Sequence, residues 1–109
     1  MIRFVRFLFT IASISGILLG QQSKPSIPDN LIWEPGIEYA PGAAKSESLK
    51  MDVVRPRGAR DPLPAVVCIH GGGFRAGSRD GYLPLCIKLA QHGYVAATIS
   101  YRLSPASQF

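Results

Sequence analysis

One stretch of the 109-residue chain has residue types and spacing that suit chemistry: His70-Gly71-Gly72-Gly73-Phe74-Arg75-Ala76-Gly77-Ser78. Three glycines in succession lose much conformational entropy on folding and bring no side chain to pack, so their use lies in the backbone. They reach positive φ without penalty and leave their N–H groups uncovered. Amides of this kind, gathered near a helix N-terminus, hold negative charge. Two sources of charge fit: a bound phosphate, or the oxyanion that develops when an acyl carbonyl is attacked. A turn of purely structural use is the plain alternative.

The elements that must position this loop can be traced from the pattern around it. Ala65 to Ile69 is continuously apolar, as expected of a strand buried on both faces. A helix is predicted from Gly81 to His92, with Pro84 in its first turn, Leu85 and Leu89 on one face and Gly93 just past its end. Tyr94 to Ser100 reads as a second buried strand. Strand, glycine loop, helix and strand make a right-handed βαβ unit with its two strands parallel. Upstream, Ile37–Ala40 and Ser48–Val54 are predicted to form an antiparallel pair. In the second of these, Leu49, Met51 and Val53 are expected to face inward, with Lys50 and Asp52 outward. Pro56 to Pro64 is a loop by composition, and residues 21–36, with three prolines, read as a linker. The expected fold class is therefore α/β: an antiparallel strand pair followed by the βαβ unit of a mostly parallel sheet.

The first twenty residues read as an export signal. Arg3 and Arg6 precede an apolar run from Phe7 to Leu19, which ends at Gly20. Thirteen helical residues span only about 20 Å, short of a bilayer core of about 30 Å, so no stable membrane insertion is expected once the signal is removed. The expected location is secreted or periplasmic. Without the two leader arginines, ten Lys and Arg face seven Asp and Glu, and the basic residues are scattered. No nucleic-acid partner is expected from that distribution. Cys68 and Cys86 are the two cysteines. Both sit among apolar residues and read as small buried side chains, with a bridge between them left open. No metal and no cofactor is expected.

The phosphate reading needs an acidic residue about 20 positions beyond the glycines to hold a ribose, yet no Asp or Glu occurs after Asp80. Only Arg102, meeting a 2′-phosphate, keeps an NADP-type dinucleotide-binding unit as a weaker alternative. The oxyanion reading uses the whole string, because His-Gly-Gly-Gly after a buried strand is the oxyanion loop of lipases and esterases of the α/β-hydrolase fold. Residues 49–105 resemble the acetyl-esterase and feruloyl-esterase branch related to hormone-sensitive lipase. The resemblance rests on Leu49 to Pro56, Pro64 to Phe74, Gly77-Ser78, Gly93-Tyr94-Val95 and Tyr101-Arg102-Leu103-Ser104-Pro105, in that order.

The resemblance implies oxyanion donors at the N–H groups of Gly72 and Gly73, with His70 and Gly71 supporting the loop. Phe74 would line the acyl pocket or pack under the loop. Arg102 would be a structural hydrogen-bonder and His92 a residue of the solvated helix end. His70 is not expected to be the catalytic histidine, because that residue comes last in the chain order of this fold. Ser100 departs from an Asp frequent in relatives, with little consequence expected. No Gly-x-Ser-x-Gly occurs, and no triad is recognisable. Residues 37–109 are thus expected to be the N-terminal part of an α/β-hydrolase domain, stopping before the nucleophile elbow. Its substrate would be a small acyl ester, such as acetyl or feruloyl groups on polysaccharide, acted on with the missing C-terminal part. A non-catalytic binding fragment is the reading from another class.

Overall fold

The computed structural model of the protein describes residues 25–42 and 48–107; the expected export signal at residues 1–20 lies outside them. Four strands form one sheet: β1 (Leu31–Ala40), β2 (Leu49–Pro56), β3 (Ala65–Ile69) and β4 (Val95–Ile99), in the order β1-β2-β4-β3. β1 and β2 are antiparallel, β2 and β4 are antiparallel, and β3 and β4 are parallel. Between β3 and β4 the chain makes a 3-10 turn (Arg79–Tyr82) and then helix α1 (Leu83–Gln91). The expected architecture, an antiparallel pair joined to a βαβ unit, is the one observed.

Helix α1 ends as its sequence predicts. Pro84 occupies the first turn, where a missing N–H leaves no hydrogen bond unmade. Past the last turn, Gly93 takes φ +90°. Its N–H donates to Ala90 O at 3.1 Å, and that of Tyr94 to Leu89 O at 3.2 Å, the paired bonds of a Schellman stop. The buried stripe differs from the expected one. Leu83, Cys86 and Ala90 face the sheet, spaced three and four apart, whereas Leu85 is exposed and Leu89 only half-buried. The small side chains at positions 86 and 90 let the helix lie close over Val54, Cys68 and Ala96, with Leu31 completing the core.

Three further expectations are corrected. β1 begins at Leu31, so residues 31–36 belong to the sheet and not to a linker. Leu31 is buried in the core, and Pro35-Gly36 is absorbed by a register shift between Glu34 and Ile37 instead of ending the strand. In β2 the buried face carries Asp52 and Val54, while Met51 and Val53 are half-buried. Asp52 tolerates burial because two groups meet it: its Oδ1 accepts from Arg79 Nε at 2.9 Å and from Gly36 N–H at 2.9 Å, and Arg79 also supplies the opposite charge. Finally, β3 is an edge strand buried on one face alone. Val66 and Cys68 turn toward the helix side, and Val67 and Ile69 are 56% and 62% exposed on the other. The period of two along the strand produces this division, since α1 covers a single face of the sheet among the described residues.

Candidate functional site

The glycine loop leaves the end of β3 beside the end of β4. Parallel pairing sets Ile69 opposite Ile99, so His70, the residue after β3, and Tyr101, two residues past the end of β4, meet. Their rings stack with centroids 4.3 Å apart and planes 18° from parallel. Tyr101 Oη donates to His70 O at 2.7 Å, and His70 Nδ1 lies 2.9 Å from Gly71 O. His70 is 5% exposed. A buried ring held by a stack and a hydrogen bond fixes the take-off direction of the loop. In the sequence Tyr101 stands out only as part of a family motif; its bracing position follows from strand register, which the sequence does not display.

Beyond His70 the backbone runs through positive φ at Gly72 (+131°), Gly73 (+60°) and Phe74 (+60°). Arg75 N–H and Ala76 N–H both donate to Gly72 O, at 3.1 and 3.2 Å, and this turn brings the chain back onto itself. The approach is close enough to demand glycine. A Cβ on Gly72 would stand 1.9 Å from Ala76 O, and one on Gly77 would stand 2.4 Å from His70 Nδ1. Ser104 N–H donates to Phe74 O at 2.8 Å, so the segment after β4 holds the far end of the loop.

The loop borders an open cleft of about 430 Å³ lined by Ile69, His70, Gly71, Gly72, Gly73, Phe74, Ile99 and Tyr101. Its walls are aliphatic and aromatic, and Phe74, 57% exposed, stands edge-on to Tyr101 with centroids 6.4 Å apart. Among the described residues, no backbone acceptor takes the N–H of Gly72 or Gly73. Uncommitted amides in a run of left-handed residues, beside apolar walls that thin out competing water, suit the binding of a negatively charged oxygen.

The remaining candidates lie elsewhere or are otherwise engaged. His92 is exposed at the helix end, with Nδ1 2.8 Å from Lys88 O. Arg102 is exposed; the hydrogen bonds expected of it at the strand end are made by Tyr101 and Arg79. Ser100, expected to matter little, accepts at Oγ from Arg79 Nη1 at 2.9 Å and so extends the Asp52–Arg79 pair. Ser78 Oγ donates to Asp80 at 3.2 Å on an exposed turn and, among the described residues, makes no hydrogen bond to a histidine. A dinucleotide site needs the helix to open directly from the glycines. Here α1 starts at Leu83, beyond a 3-10 turn, so that context is lacking. Among the described residues no three His, Cys, Asp or Glu side chains gather to hold a metal.

Comparison with known proteins gives consistent results. The BD-FAE family profile matches residues 51–109. Versiconal hemiacetal acetate esterase of Dothistroma septosporum is 31% identical over 88 residues, covering 80% of this chain and 25% of that protein. A bacterial heroin esterase structure superposes with a TM-score of 0.64 at 31% identity, covering 80% of this chain and 27% of the other. Esterase B from Lactobacillus rhamnosis superposes with a TM-score of 0.61 at 30% identity, covering 78% and 27%. The chain thus spans about a quarter of the length of these relatives.

Proposed function

The chain belongs to the BD-FAE family of α/β-hydrolase esterases, and from that membership we propose that its glycine loop is the oxyanion-holding part of a carboxylic-ester hydrolase. One observation carries the proposal: among the described residues, no backbone acceptor takes the N–H groups of Gly72 and Gly73, and both glycines border an apolar cleft. When a nucleophile adds to an ester carbonyl, the oxygen gains a full negative charge. Donors already oriented toward it stabilise that state without reorganising. In this reading Gly72 and Gly73 donate, His70 and Gly71 support the loop from beneath, and Phe74 forms a wall of the acyl pocket.

The reaction also needs a nucleophile and a base. The 109 residues contain no Gly-x-Ser-x-Gly, so in this proposal both come from outside them. The substrate class is a small acyl ester, with acetyl or feruloyl groups on polysaccharide as the finer reading. Arg3, Arg6 and the apolar run Phe7–Leu19 support export to a secreted or periplasmic location.

The test uses a gene product in which these residues are followed in frame by a Gly-x-Ser-x-Gly element. Gly73 has φ +60°, where a β-branched residue is a severe outlier, so Gly73→Val should displace its N–H. The expected loss is about 10²–10³ in kcat on p-nitrophenyl acetate. Full kcat with an intact fold would remove Gly73 from the donor set. The 109-residue chain alone should turn over no more substrate than a denatured control. Specific binding of an ester by that chain, with no such element found in frame, would favour the non-catalytic binding reading.

A further inference from the structure

We propose that Cys68 and Cys86 are a disulfide site, and that the bond clamps β3 to α1 at the two ends of the segment that carries the glycine loop. Cys68 is the penultimate residue of β3 and Cys86 lies in the first half of α1. Both are buried, at 7% and 0% exposure. They are free thiols in this structure, with Cys86 Sγ 3.9 Å from Cys68 Sγ. A disulfide requires a sulfur separation of about 2.05 Å. The two sulfurs must therefore approach by about 1.9 Å for the bond to form.

Three features favour a bond over two idle thiols. These are the only two cysteines in the chain, so no competing intramolecular pairing exists. The residues are 18 apart in sequence, and everything between them, including the whole turn from His70 to Gly77, falls inside the ring that the bond would close. A cross-link there removes freedom from the unfolded chain that this glycine-rich segment has in excess. Cys68 also lies two residues before His70, so the bond would anchor the strand end from which the loop departs.

Burial, and then the neighbouring Cys68, push the Cys86 thiol up to about 12. A thiol of that kind is not ionised at neutral pH once the helix has docked, and the thiolate is the attacking species. The bond therefore closes during folding, before the helix seats, and is shielded from reductants afterwards. The oxidant is a disulfide compound, RSSR. One cysteine thiolate attacks it, forming a protein–SR mixed disulfide and releasing one thiol. The second cysteine then attacks the protein sulfur and releases the other. The two protein thiols together lose two protons and two electrons, and RSSR is reduced to two RSH.

The experiment equilibrates the 109-residue chain with reduced and oxidised glutathione, once in buffer and once in concentrated urea. Free thiols are trapped by alkylation, and a non-reducing digest identifies the peptide that joins Cys68 to Cys86. Because stabilisation of the fold and of the bond are linked, the effective concentration of the thiol pair should be about 100-fold higher in buffer than in urea. The melting temperature of the oxidised chain should exceed that of the reduced chain by at least about 10 °C. Cys86→Ala should abolish both differences. An effective-concentration ratio near one, or disulfide-linked dimers in place of the internal bond, would overturn the proposal. None of these readouts involves ester hydrolysis, so its failure and that of the esterase reading are separable.

Discussion

Replacing Gly72 with alanine tests whether the glycine loop is built on close backbone contact or merely on flexibility. At Gly72 the added methyl would lie 1.9 Å from Ala76 O and 2.6 Å from Ala76 C. Both are rigid backbone atoms, so the turn itself must open by more than about 1 Å to restore an ordinary contact. Opening it endangers the two bonds that Arg75 and Ala76 donate to Gly72 O, each worth about 1 kcal/mol. The φ of +131° adds about 1–3 kcal/mol for any residue with a Cβ. The expected destabilisation is thus about 3–5 kcal/mol, a large part of the total stability of a small domain. Gly71→Ala is the control, because a Cβ there meets nothing within 4 Å and its φ is not positive; it should stay within about 0.5 kcal/mol of wild type. Urea titration followed by circular dichroism separates the two, with an expected midpoint difference of about 2–4 M. Equal midpoints for Gly71→Ala and Gly72→Ala would show that the turn does not have the close approach on which the site argument depends.

Other outcomes follow from the charged residues and from the leader. Arg79→Ala leaves the Asp52 carboxylate, only 3% exposed, with the Gly36 N–H and no countercharge, and should destabilise the fold by about 3 kcal/mol; a urea midpoint unchanged from wild type would contradict the burial argument. The hydrogen bond from Arg55 holds the Glu34 carboxyl below its ordinary value of 4.5 despite the opposing desolvation, with the Arg55 charge adding to it. A carboxyl depressed in the folded state stabilises above the ordinary carboxylate range, and that contribution is lost as pH falls through the lowered value. The Arg55–Glu34 side chains are 41% and 43% exposed, so the effect is small: melting curves of wild type and Glu34→Gln should differ slightly near neutrality and converge in acid, and a gap that widened in acid would reverse the sign. N-terminal sequencing of exported material should begin close to Gln21, whereas a retained Met1 in a cytoplasmic fraction would refute the signal reading.

Local pattern determined much of what positions the site. The apolar run Ala65–Ile69, the glycines after it, Pro84 and Gly93 at the ends of the helix, and the apolar run into β4 are all short-range features. Together they dictate a parallel βαβ unit with a bare backbone loop at the end of its first strand. Glycine chemistry marks the run Gly71–Gly73 as a bare-backbone loop; the particular roles of Gly72, Gly73 and Phe74 are what the family resemblance implies.

Long-range compensation was not legible in this way. Pro35-Gly36 has the composition of a strand terminator, and only pairing with β2 across a register shift keeps β1 continuous through it. Alternation in β2 separates Leu49, Met51 and Val53 from Lys50 and Asp52 but cannot say which set lies under the helix. The answer depends on Arg79, 27 residues from Asp52, whose guanidinium makes burial of a carboxylate tolerable. Likewise the stack of His70 on Tyr101 spans two strands and exists only because their parallel register brings both ends level. Sequence periodicity records which residues share a face. Which face is covered, and which distant side chains neutralise or brace one another there, is decided by tertiary packing, since those energies belong to pairs of segments and not to either segment alone.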